Sequence, residues 1–347
     1  MPLRRAGGTA VPFGPFEHGP RVVAVGGGHG LSATLSALRR LTDNVTAVVG
    51  VADDGGSSGR LRAEFGIPPP GDLRMAIAAL CGDDPVGRSW SRVLQHRFAG
   101  EGPLGGHAVG NLLISALWEE TSDVVAGLDY LGALVEARGR VLPSTTEPME
   151  LRAEVAGLAP DDAASAQGAP TTSRIIGQAN VARCGGTVVD IELDPPDAPP
   201  CDEALEAIAA ADYLVLGPGS WFTSVLPHFE IAELREAISA ASAQRVLVLN
   251  LASDTAETRG FSPATHLEVL HQRYPEVTVD VVLADPRAVA DPGELVEAAQ
   301  NIDAVVQFER LAAPAYVNTL PTAAHSPDLL AAAFGALMER GRITPWQ

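Results

Sequence analysis

Glycine, aspartate, serine and arginine crowd into a few short loops of this chain, and most of these loops follow an apolar run. The first loop is Gly26-Gly27-Gly28-His29-Gly30. Glycines let a backbone come close to a pyrophosphate, and a helix starting there offers free N–H groups and its positive dipole end. The spacing is not a full G-x-G-x-x-G, because Leu31 stands where the third glycine belongs. His29 is placed to touch a ligand, although a loop histidine with no such role fits the same position.

The second loop is Asp53-Asp54-Gly55-Gly56-Ser57-Ser58-Gly59-Arg60. Asp53 lies 25 positions after Gly28, where a carboxylate can bond ribose hydroxyls. Paired, Asp53 and Asp54 could instead hold a Mg²⁺ that bridges phosphates. The third is Pro68-Pro69-Pro70-Gly71-Asp72-Leu73-Arg74, a rigid entry to a helix with Asp72 expected as N-cap. The fourth runs from Gly105 to Asn111, with His107 and Asn111 near a helix start, where they can read a base or a phosphate or merely cap. The fifth is Gly217-Pro218-Gly219-Ser220, followed by Thr223, and it repeats the strand, glycine turn, helix order as a second phosphate-cradle candidate. Asn250 and Thr255 to Thr258 close the next strand on the same rim. No Ser-His-Asp order, H-E-x-x-H or Cys/His metal set stands out.

The elements that must position these loops are legible as buried runs. RVVAVG, VTAVVGVA, ADYLVLG, RVLVLN, VTVDVVLA and DAVVQF read as strands apolar on both faces. LSATLSALRRL puts Leu31, Leu35, Leu38 and Leu41 on one helical face, and ELREAISAA is a second helical stretch. Strand, glycine turn, helix, strand is a right-handed βαβ unit. The expected fold is therefore α/β and Rossmann-like: a doubly wound, mainly parallel sheet with helices on both faces. Gly71 to about Leu134 is helical in pattern. Residues 1–20 read as a Gly/Pro-rich lead-in, and 21–347 as one domain with a β/helical insertion around 140–195 that includes TVVDIEL. Gly157–Thr172 and Asp194–Cys201 read as loops.

Composition narrows the partners. The chain has 347 residues, 46% hydrophobic and 19% charged, as expected of a globular protein. Its net charge of −19 opposes binding to nucleic acid or to an anionic membrane, but not to a small anion in a local pocket. There is no lysine, which excludes a Walker lysine and a lysine Schiff base. The alanine- and arginine-rich composition of a GC-rich genome accounts for this, and all cationic work falls to arginine. Arg60, Arg62, Arg74, Arg88, Arg92 and Arg97 make one region locally basic, as an anionic small ligand would require. Three scattered cysteines, no apolar run of membrane-spanning length and no signal-type h-region give the expectation of a cytoplasmic protein without membrane insertion.

Taken together, GGGHGLS, VADDGGSSGRLR, PPGDLR, GHAVGNLLI, GRVLPST and LGPGSWFTSVLPH, in this order from Arg21 to about His271, resemble the gluconeogenesis factor family. This is the YvcK-like branch of the CofD-like superfamily, here of actinobacterial type because His29 replaces a more usual threonine. The resemblance implies a protein needed for cell shape and for growth on gluconeogenic carbon. It implies a UDP-sugar ligand such as UDP-N-acetylglucosamine, and links to peptidoglycan precursor proteins. No catalytic activity is implied for this branch. The transferase branch, which moves phospholactate with Mg²⁺, lacks the DDGGSSGR and GPGSxxTS forms. Two departures bear on the site. Asp254 to Thr258 departs from the commoner P-G-E-T pattern, and Phe261 stands near a tyrosine of sugar-nucleotide-binding relatives, so that hydroxyl bond is lost.

The resulting expectation is a UDP-sugar-binding regulator whose ligand contacts Gly27, Gly28, His29, Gly30, Asp53, Asp54, Gly55, Gly56, Ser57, Ser58, Arg60, Asp72, Arg74, His107, Asn111, Gly217, Gly219, Ser220, Thr223 and Asn250. The alternatives are a nucleotide-dependent, CofD-type transferase using Mg²⁺ and, less favoured for want of the third glycine, a dinucleotide oxidoreductase. Association into a homo-oligomer stays open. All of this requires the turns at 26–30, 53–60 and 217–220 to meet at one place.

Overall fold

The computed structural model describes residues 19–158, 172–253, 255–317 and 320–341. Most of the expected lead-in and of the Gly157–Thr172 loop therefore lies outside the described residues. The chain opens with β1 (Val22–Gly26), α1 (Gly28–Leu38) and β2 (Val45–Val49). Four helices follow: α2 (Gly56–Phe65), α3 (Gly71–Leu80), α4 (Pro85–Gln95) and α5 (Val109–Thr121), with α6 (Val124–Leu134) leading to β3 (Arg140–Pro143). Next come β4 (Glu150–Ala156), β5 (Thr172–Ile176), α7 (Gln178–Val181) and β6 (Thr187–Asp194). Then α8 (Asp202–Ala209) and β7 (Tyr213–Leu216) precede one π-helical turn at Trp221–Val225, α9 (Pro227–Glu230), α10 (Ala232–Ala240) and β8 (Gln244–Val248). The chain closes with α11 (Pro263–Arg273), β9 (Val281–Ala284), α12 (Pro292–Gln300), β10 (Val305–Phe308), β11 (Ala312–Val317), β12 (Leu320–His325) and α13 (Pro327–Arg340).

Seven strands form one sheet in the order β10-β9-β8-β7-β1-β2-β3, and every pairing in it is parallel. This is the α/β Rossmann-like sheet the sequence predicts, with helices around it. All five residues of β1 are buried, because a central parallel strand is covered on both faces. Leu31, Leu35 and Leu38 of α1 are at most 1% exposed. Each such leucine contributes about 1.5–3 kcal/mol by leaving water. Leu41, expected on the same face, lies beyond the end of α1.

Strands added after β1 run outward as β2 and β3, whereas β7 to β10 run outward on the other side. The direction reverses between β1 and β7, and the loops leaving these two strands are the first and fifth glycine turns. Open α/β sheets bind ligands at this kind of reversal, beyond the carboxyl ends of the strands.

Two features differ from expectation. Arg140–Pro143 pairs parallel with β2, so it is the edge of the central sheet and the excursion begins after it. The excursion is a three-stranded antiparallel sheet, β5-β4-β6, rather than a simple hairpin. Four-residue β3 carries too short a pattern to be told from a loop. The C-terminal β11–β12 hairpin was likewise unmarked by a recognisable turn signal.

Candidate functional site

The three glycine turns meet. Gly30, in the first turn of α1, faces the Pro218 carbonyl so closely that a Cβ would collide with it. The Thr34 hydroxyl adds a hydrogen bond to the Gly217 carbonyl at 3.4 Å. A Cβ on Gly27 would sit 2.6 Å from the Asp72 carboxylate, which brings the third loop to the first. Asp72 in turn lies beside Asp53 of the second loop, whose charge makes the Asp72 carboxyl costlier to ionise. Burial is the larger effect. Together they push the Asp72 carboxyl up to about 7, against the pull of the Gly28 N–H and Arg74.

A narrow cleft with a free volume of about 10 Å³, room for one water, lies where the turns meet. Gly27, Gly50, Asp72, Gln178, Thr223 and His228 are among its walls. Gln178 comes from the excursion and donates its side-chain amide to the Thr223 carbonyl. His228 is 1% exposed; its Nδ1 lies 3.2 Å from the Val225 carbonyl and its Nε2 has no hydrogen-bond partner. Burial holds this imidazole down to about 4, so it is neutral at pH 7.

A second cluster adjoins the first on the β2 side. Ser57, at the start of α2, is bonded to His107 Nδ1 at 3.0 Å and to the Asn111 side-chain amide at 3.0 Å. Arg60 donates to the Gly105 carbonyl, and Arg97 to the Gly106 carbonyl. Arg74 is 3% exposed, and its buried Nε and Nη1 have no partner. Burial, with Arg97 nearby, pulls its guanidinium down to about 10. Asp72 and Asp53 offset part of its charge, but two of its buried nitrogens make no hydrogen bond, which suits them to an anion's oxygens.

Several expectations are corrected. Asp72 does not cap α3: Pro70 holds that position, and the carboxylate turns across to the Gly28 N–H. Asp53 and Asp54 do not act as a pair. Asp53 accepts from the Gly55 N–H at 2.9 Å, whereas Asp54 turns away and accepts from the Ala179 N–H at 2.8 Å. Among the described residues no three His, Cys, Asp or Glu side chains are grouped to hold a metal. Asp53 and Asp72 remain two converging carboxylates, and Mg²⁺ characteristically takes one or two, completing its shell with phosphate and water. The fifth loop is not an open cradle. Its Gly219 N–H is taken by Asn250 at 2.9 Å, and its Phe222 N–H by Glu257 at 3.3 Å. Asn250 also donates back to the Gly219 carbonyl at 2.7 Å, so its side chain clasps the turn. His107 and Asn111 bond Ser57 rather than capping α5, whose N-cap is Ala108.

Of the remaining candidates, Gly28, Gly55 and Gly217 shape the three turns. Ser58 and Thr223 are buried, and His29, Gly56, Arg60 and Ser220 are exposed on the rim. Sequence reasoning missed His228, Gln178 and Glu257. His228 stood in a quoted motif but carried no spacing signal, and Gln178 carried none at all.

The profile of the family described as 2-phospho-L-lactate transferase CofD matches residues 22–318. The chain belongs to the CofD-like family. Within it, the chain is 48% identical over 323 residues to the "Putative gluconeogenesis factor" of Mycobacterium tuberculosis, covering 92% of this chain and 90% of that one. It is 34% identical over 334 residues to the gluconeogenesis factor of Listeria innocua, covering 93% and 97%. A crystal structure of a UPF0052 family member from Bacillus halodurans superposes with a TM-score of 0.76 at 30% identity, covering 90% of this chain and 98% of that chain. In this CofD-like chain, no helix among the described residues is long and apolar enough to cross a membrane.

Proposed function

We propose that this chain is a gluconeogenesis factor that binds a UDP-sugar, of the UDP-N-acetylglucosamine kind, and thereby regulates cell-wall precursor supply and cell shape. The observation that carries the ligand class is Arg74: a buried guanidinium with two unpartnered nitrogens, beside converging glycine turns at the strand-order reversal. Arginine suits the bidentate grip of phosphate oxygens. The start of α2 supplies backbone donors, Arg97 adds positive charge beside Arg74, and Arg60 adds it beside His107. The names of the relatives support the gluconeogenic setting. Calorimetric titration with UDP-N-acetylglucosamine tests the reading. Saturable heat is expected, and a flat titration at millimolar ligand overturns it.

A second reading is a CofD-type transferase using Mg²⁺, favoured by the family profile and by the convergence of Asp53 and Asp72. Asp53 and Asp72 would hold the ion, which would neutralise phosphate charge. This reading expects Mg²⁺-dependent turnover of a nucleotide-activated donor that Asp53→Asn abolishes.

A further inference from the structure

We propose that the groove between α1 and α4 is a second ligand site, separate from the converging glycine turns, and that it takes the phosphomonoester of a sugar or polyol. α1 and α4 both pack on α3. Between them lies a groove with a free volume of about 330 Å³, within the range of small-molecule sites. Arg88, Ser91, Arg92 and Gln95 of α4 line it, as do Ser32 and Ser36 of α1. The spacing on α4 is i, i+3, i+4, i+7, the period of a helix face that ordinarily packs on a core. Here that face is polar throughout and borders open volume. No residue lines both this groove and the cleft at the glycine turns.

The charge on the walls selects an anion. Arg88 and Arg92 stand one helical turn apart and repel, and an anion held between them relieves that repulsion. Arg88 donates to the Asp83 carbonyl and Arg92 to the Ser89 hydroxyl at 3.2 Å, contacts that use one nitrogen of each guanidinium. Among the described residues neither has a carboxylate at ion-pair distance, whereas Arg39 and Arg40 do. Asp83 is the sole carboxylate lining the groove, and it is already held. Arg39 grips both its oxygens, at 2.7 and 3.0 Å, and Arg40 lies 3.5 Å away. A chain of net charge −19 thus keeps two guanidinium groups clear of carboxylates over one cavity, in the type of side chain that grips phosphate bidentately.

The uncharged lining sets the rest of the ligand. Serine hydroxyls and the Gln95 amide both donate and accept, as the hydroxyls of a sugar or polyol require. Ser36 gives its proton to the Ala79 carbonyl at 3.4 Å, which leaves its lone pairs for a ligand hydroxyl. No aromatic side chain lines the groove, so a nucleobase would have nothing to stack on. The site therefore does not depend on the UDP-sugar reading. It also divides the locally basic region: Arg60, Arg74 and Arg97 lie on the side of the glycine turns and His107, and Arg88 and Arg92 serve this groove.

Calorimetry on the full chain tests the site with glucose 6-phosphate, fructose 6-phosphate and glycerol 3-phosphate, against glucose and inorganic phosphate. At least one ester should give saturable heat and bind at least tenfold more tightly than inorganic phosphate, and glucose should give none. Replacing both arginines, Arg88→Gln with Arg92→Gln, should weaken the ester at least tenfold. Both side chains are exposed, so the melting temperature should not change. Ser91→Glu, which puts a carboxylate beside the arginines and removes neither, should weaken it likewise. Arg74→Gln should bind the ester as the wild type does, and the double variant should titrate with UDP-N-acetylglucosamine as the wild type does. Flat titrations with all three esters, an ester no tighter than inorganic phosphate, or an ester lost in Arg74→Gln and kept in the double variant overturns the proposal. Ester heat with a flat UDP-N-acetylglucosamine titration removes the nucleotide reading and leaves this site standing. The converse does the reverse.

Discussion

The Asp54 carboxylate accepts the Ala179 N–H at 2.8 Å across 125 residues of sequence. One hydrogen bond thus fastens the three-stranded excursion to the second glycine-rich loop. On the other side of α7, Gln178 holds the Thr223 carbonyl. The excursion is therefore strapped to two of the site's loops, and changes in either loop reach it directly.

Removing that strap should loosen the excursion first. Asp54→Ala loses a charge-assisted bond worth about 1.5–3 kcal/mol. Hydrogen exchange should accelerate at residues 177–182 and much less in β1. Equal protection in both proteins would show that the remaining ties, Gln178 to Thr223 and Arg273 to β6, hold the excursion without Asp54.

Arg74 should trade stability for affinity. Arg74→Gln removes a buried cation with two unpartnered nitrogens, so the free protein should melt at the same temperature or higher. Its affinity for UDP-N-acetylglucosamine should fall about 10- to 100-fold, as for one lost charged hydrogen bond. A destabilised variant with unchanged affinity would make Arg74 a packing residue.

Asp72 sets a pH dependence of one sign. Its folded value, about 7, lies above the unfolded 3.8, so the native state keeps a proton that the unfolded chain loses between about pH 4 and 7. Stability from this group is present in acid and is lost as pH rises through that window, by up to about 4 kcal/mol. Asp72→Asn should therefore be the more stable protein at pH 8 and differ little at pH 4, measured by urea unfolding.

His228 acts with the opposite sign. Its folded value, about 4, lies below the unfolded 6.5, so the unfolded chain takes up the proton first on acidification. Stability is lost as pH falls from about 6.5 to 4, by about 3 kcal/mol. His228→Gln should flatten that limb of the profile while leaving stability above pH 7 to depend on packing alone.

Gly30→Ala tests the contact between the two turns. A Cβ there meets the Pro218 carbonyl, and backbone cannot step aside as a flexible side chain can. A loss of about 1–3 kcal/mol is expected, together with weakened nucleotide binding. An unchanged melting temperature would show that the turns separate freely.

The sequence by itself determined the sheet strands, the glycine turns that end them and the clustering of those turns on one rim. These are local consequences: a buried parallel strand is a continuous apolar run, and a glycine-rich break after it marks a strand's carboxyl end. It could not reveal β3, whose four residues carry too little pattern. Tertiary structure alone decided which donors stay open. Asn250 and Glu257 close the fifth loop, Asp72 crosses to Gly28, and Asp54 deserts Asp53 for the excursion. It also decided that Ser57 meets His107, 50 positions away, and that two nitrogens of Arg74 are buried without a hydrogen-bond partner. Such pairings depend on how distant segments pack and on the direction of each side chain, and neither residue spacing nor hydrophobic period encodes that direction.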